Sequence, residues 1–191
     1  MFFGIFKLHT LFFARVQRAL HGWFPGLAAR AIFASVLLFF FLNSAMTKVG
    51  TGIAGLIHPS AGAYAQILPS MMEKVGYDVS KIEFFPYGLM VVAGMWAEFL
   101  LPVLIVIGLF TRLASFGFII FIAVMTWVDI TAHHVGAQAI GGFFDRAPGA
   151  LIADQRLLWL FPLIYLTIYG AGAVSLDRLL ARRQLDRMRG W

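Results

Sequence analysis

A single carboxylate stands inside an apolar run. Residues 86–109 read PYGLMVVAGMWAEFLLPVLIVIGL, with no Lys, Arg or Asp and one acid, Glu98, near the middle. A carboxylate at bilayer depth costs about 2.5–3.5 kcal/mol on insertion scales, so it faces protein or a water-filled cavity rather than lipid. As a neutral acid, Glu98 would donate a proton to a quinone carbonyl. Tyr165, in the last apolar run, falls at similar depth by helical rise and is its candidate hydrogen-bond partner. Glu98 and Tyr165 are the candidate catalytic pair. A structural interhelical hydrogen bond through Glu98 is the rival reading. Trp127 joins Glu98 as a candidate contact for a quinone ring, although a tryptophan near a span end also fits the interfacial aromatic belt.

A second group sits at the far end of the third apolar run: Asp129, His133 and His134. Asp129 and His133 are spaced i, i+4, so they share a helix face if the helix extends that far. An Asp–His pair binds divalent metal or relays protons. Two or three ligands without fixed spacing elsewhere make a weak metal site, and ordinary interfacial polar residues are the plainer reading. Arg156 is placed to pair with Asp129. Other chemistries are absent by inspection. The chain has no cysteine, which removes disulfides, thiolate metal sites and iron–sulfur clusters. It has no phosphate-binding loop, dinucleotide fingerprint or HExxH. Histidines paired across two spans, as haem b would need, are missing too.

The elements that must position these residues follow from composition. The chain has 191 residues, 61% hydrophobic and 13% charged. Soluble domains run near 45–50% apolar and about 25% charged, so the class is a polytopic membrane protein. Four apolar runs are long enough to cross a ~30 Å hydrocarbon core: about 28–47, 86–109, 113–130 and 157–172. Residues 2–24 show helical amphipathic periodicity, with Lys7, Arg15 and Arg18 on a basic face, and read as an interfacial helix. A helix near 62–75 is expected to lie on the bundle. After the fourth run, Ser175 and Asp177 open a tail helix to about Arg189, with leucines and Met188 among Arg182, Arg183, Arg187 and Arg189, suited to anionic lipid. The expected organisation is therefore an N-terminal interfacial segment (1–27), a four-span bundle (28–172) and a basic tail helix (173–191). The net charge of +6 collects at the chain ends, which favours membrane topology over nucleic acid as its explanation. The N-terminal segment, the 110–112 turn and the tail hold ten Lys and Arg against five in the long connections. That asymmetry places both termini in the cytoplasm. Arg112, at the inner boundary, is expected to snorkel to lipid phosphate.

The run Glu98-Phe-Leu-Leu-Pro-Val-Leu-Ile-Val-Ile-Gly-Leu-Phe-Thr-Arg112-Leu-Ala resembles the core of the DoxX family of small four-span bacterial membrane proteins. The segment Gly170-Ala-Gly172-Ala-Val-Ser175-Leu-Asp177 is similar to that family's Gly-x-Gly-x-x-Ser-Leu-Asp ending. Phe41-Leu42 with Lys48 is similar to the close of its first span. The resemblance covers about residues 28–180. It implies an all-α, four-helix transmembrane bundle in the bacterial inner membrane. It also implies a role as an accessory or anchor subunit of a membrane redox system, possible contact with quinone, and redox or metal-handling protein partners. A small transporter or metal-homeostasis component is a rival reading, and a scaffold docking soluble proteins on the basic face is another. Quinone contact needs a lipid-open groove beside Glu98. Transport needs a polar path through the bundle, and a scaffold needs neither.

Overall fold

The structure is a computed structural model that describes residues 2–189. The side chains of Phe2 and of residues 185–189 lie outside the description, and with them the expected contributions of Arg187, Met188 and Arg189. Four helices are long and apolar enough to cross a membrane. Span one is Phe24–Lys48, span two Phe84–Ile107, span three Thr111–Thr131 and span four Leu151–Tyr169. Consecutive spans pack side by side and span four closes the ring against span one, so spans two and four lie across a diagonal.

Lipid tails are as apolar as leucine, so the bundle gains from close packing rather than from hiding apolar surface. The centre is aromatic. Phe118 of span three meets Phe33 at 5.4 Å and Phe41 at 4.7 Å, both edge-to-face. Leu37, Ile105, Ile122, Leu163 and Leu166 complete a fully buried core. Where spans one and four meet at their termini-bearing ends, Gly26 lets backbones touch. A Cβ there would lie 2.6 Å from the Ala171 carbonyl oxygen.

Span ends follow local chemistry. Gly108 adopts φ +74 and stops span two, and three residues later Thr111 starts span three. Span four begins at Leu151, six residues before the apolar pattern starts. Asp154, Gln155 and Arg156 mask that first turn in the sequence, and the side chains of Asp154 and Arg156 are used inside the protein. The expected helix near 62–75 is two helices, Ala61–Ile67 and Pro69–Lys74, broken at Leu68 because the residue before a proline leaves the helical region. They bury Ala63, Tyr64 and Met72 against Val91 of span two. The N-terminal helix, Phe2–Leu20, is separate from span one, with a turn at residues 21–23 between them. Its apolar side chains, among them Phe3, Phe6 and Phe12, are exposed. The tail helix is Leu176–Arg189.

Candidate functional site

Glu98 is paired with Lys48. Lys48 Nζ donates to a Glu98 carboxylate oxygen at 2.9 Å, and also to Ser44 Oγ at 2.8 Å. Both charged residues are buried, Lys48 at 3% and Glu98 at 5% exposure. Helix geometry explains the meeting. Helical side chains lean toward the N-terminus of their own helix. Spans one and two run antiparallel, so Lys48 at the end of one and Glu98 in the middle of the other lean toward each other. Ser44, one turn before Lys48, steadies the ammonium.

The 49–82 connection covers this pair from the far end of the bundle. Ser60 donates its N–H to the Lys48 carbonyl at 2.9 Å and its hydroxyl to the Thr47 carbonyl at 3.1 Å. Trp96 Nε1 donates to the Leu56 carbonyl at 3.0 Å, tying the loop to span two at a residue two before Glu98. Burial of Tyr64, a residue of this cap packed against span two, pushes its phenol above the ordinary range.

The remaining sequence candidates are placed elsewhere. Tyr165 is not the partner of Glu98. It lies on the diagonal helix, four residues from the end of span four, with its ring 4.9 Å from Tyr169. Trp127 is 69% exposed on span three, pointing away from the interior that holds Glu98. Asp129 forms an ion pair with Arg156, as expected, and Arg156 also donates to Thr126 Oγ1 at 2.6 Å. Span three ends at Thr131, so His133 leaves the face of Asp129. His133 Nε2 instead lies 3.0 Å from the Gln66 carbonyl, and His134 is exposed with φ +50. Among the described residues no three His, Asp or Glu side chains converge on a metal-sized site.

Two residues that matter were given no role in the candidate site by the sequence reading. Lys48 is one. The signal was present: a lone acid in an apolar span calls for a base from a neighbouring span, and Lys48 closes the preceding one. Arg30 is the other. It is 5% exposed and donates to the Val106 carbonyl at 3.0 Å and to the Val174 carbonyl. Close by, the Asp177 carboxylate accepts from the N–H groups of Phe110 at 2.7 Å and Thr111 at 3.0 Å. Arg30 and Asp177 thus lock the 108–112 turn to the 170–177 segment. Between Arg30 and the Lys48–Glu98 pair lies the aromatic core, with Phe33, Leu37, Phe41 and Phe118 at 0–2% exposure. The described side chains give no polar path along the bundle there.

The family model described as DoxX matches residues 26–134, more than half of the chain. The match holds spans one to three, including Lys48, Glu98 and the 108–112 turn, and stops before span four and the Gly170–Asp177 segment. No curated protein and no solved structure matches the chain.

Proposed function

Because the chain belongs to the DoxX family, we propose that it is an anchor or accessory subunit of a quinone-linked membrane redox system, with Lys48–Glu98 as its proton-handling group. The buried pair carries the reading. Replacing a buried ion pair by packed apolar residues is often neutral or stabilising, so bundle stability alone gives little reason for two charges here. A lysine–carboxylate pair in a dry interior is suited to handing a proton to a reduced quinone oxygen and taking one back. The aromatic core argues against the transporter reading, since transport needs a polar route through the bundle. The proposed site is the inner membrane of a bacterium, with both termini cytoplasmic. The exposed apolar face of Phe2–Leu20 and the basic tail would then rest on anionic lipid.

The test is quinone reduction in native membranes, with expression matched, for wild type and Glu98→Gln. Gln keeps the shape and an acceptor for Lys48 but exchanges no proton, so activity should fall while the protein still inserts. Equal activity would remove proton exchange from the role of Glu98. Affinity purification from the same membranes, with mass spectrometry of proteins and bound quinone, checks the subunit reading. Recovery of the chain without any oxidoreductase partner counts against it.

A further inference from the structure

At the termini-bearing end a cleft of about 890 Å³ opens between the start of span three, the end of span four and the first turn of the tail helix. Arg112 and Arg178 both line it. Both are exposed, and neither forms an ion pair among the described residues. The Arg112 guanidinium lies across bare backbone: a Cβ on Gly170 would sit 3.3 Å from its Nε. Gly170, at φ +78, therefore keeps that space open for two reasons. Thr111 forms part of the wall. It is fully buried, and its hydroxyl has no hydrogen-bond partner.

One acid, Asp177, also borders the cleft. Its two carboxylate oxygens are held by the N–H groups of Phe110 and Thr111. Its charge faces the start of span three, whose N-terminal dipole it complements. Among the described residues, two unpaired guanidinium groups remain for an outside ligand. Arginine presents planar pairs of donors that match the oxygens of a phosphate.

The position of the cleft selects the source of that phosphate. It lies where the membrane helices end, between Trp23 at 42% and Tyr169 at 67% exposure. Aromatic side chains of this kind sit at headgroup level. Leu113, 71% exposed, continues from the cleft along the outer surface of span three, where an acyl chain would run.

We propose that this cleft is a binding site for the phosphate of an anionic phospholipid, gripped by Arg112 and Arg178. The site is independent of the redox reading. It differs from diffuse attraction to the basic tail, because it is a cleft for one lipid formed by three segments.

The full-length protein in detergent, titrated with phosphatidylglycerol or phosphatidylcholine and read by native mass spectrometry, tests it. Wild type should retain one phosphatidylglycerol in preference to phosphatidylcholine. A basic residue near an anionic surface is worth about fivefold in binding, so Arg112→Gln with Arg178→Gln should weaken phosphatidylglycerol roughly 25-fold. Arg182→Gln with Arg183→Gln, on the tail beyond the cleft, should leave the one-lipid adduct in place. Equal retention of the two lipids overturns the proposal. So does an unchanged adduct in the cleft variant, or an equal loss in the tail variant. Inorganic phosphate added at the lipid's concentration should not displace it; displacement would assign the site to free phosphate. If the double variant fails to fold, Arg178→Gln alone carries the test with about a fivefold loss.

Discussion

Lys48 and Glu98 contribute to the fold mainly by depending on each other. Each charge is unfavourable alone in a dry interior, and at 2.9 Å each answers the other. Lys48→Met strands the carboxylate, and Glu98→Leu strands the ammonium beside Ser44. Either change alone should destabilise the protein by about 3–5 kcal/mol, while Lys48→Met with Glu98→Leu should sit near wild type or above it. Thermal denaturation in one detergent, for all four proteins, measures the coupling. Additive losses in the double variant would show that the pair is not a unit. Asp177 behaves differently because its partners are backbone N–H groups at the start of span three. Asp177→Asn keeps one acceptor and loses the charge, so a loss of about 1 kcal/mol is expected. That corresponds to a fall of roughly 2–4 °C in Tm for a chain of this size. An unchanged Tm would mean that the carboxylate does not hold the turn.

Between elements, contact is decided by small residues and by which helices are neighbours. Gly26→Ala would push a methyl into the Ala171 carbonyl, a backbone atom that cannot rotate away. Separation of spans one and four there should cost about 1–3 kcal/mol. Gly4→Ala is the matched control: it has open space around it in the N-terminal helix, and Ala is the better helix former by up to about 1 kcal/mol. Gly4→Ala should therefore be neutral or stabilising, and equal losses from the two variants would contradict the contact. The four spans were legible in the sequence because the bilayer dictates some twenty apolar residues per crossing. The Asp129–Arg156 pair was legible for a related reason, since both residues flank adjacent span ends. The start of span four was hidden because Asp154 and Arg156 interrupt the apolar pattern, although they are used internally, Asp154 by accepting from the Ala150 N–H at 2.8 Å. Tyr165 was assigned to Glu98, and Lys48 overlooked, for a geometric reason. Depth along a helix can be counted from sequence, whereas the order of helices around the ring cannot. That order puts span one beside Glu98 and span four across from it.

At the scale of the whole molecule, the two ends of the bundle differ in charge and in covering. The end that carries both termini holds Arg30, Arg112 and Arg178, with Lys7, Arg15 and Arg18 on the N-terminal helix and Arg182 and Arg183 on the tail. The opposite end is built from the 49–83 and 132–150 connections, whose basic residues are Lys74, Lys81 and Arg146. Basic residues in short segments next to spans are retained in the cytoplasm, so the termini-bearing end is expected to face inward. The absence of cysteine makes this directly measurable, because each introduced thiol is the sole target. Gln184→Cys, exposed on the tail helix, and Phe144→Cys, fully exposed in the 132–150 connection, report on opposite ends. In intact cells a membrane-impermeant maleimide that reaches the periplasm should label position 144 and leave 184 unlabelled until the inner membrane is opened. Labelling of position 184 first would invert the molecule. The cap over Lys48–Glu98 would then face the cytoplasm, and the proposed lipid cleft would meet the outer leaflet. If both positions label in intact cells, the chain does not hold one orientation and the charge count does not govern its insertion.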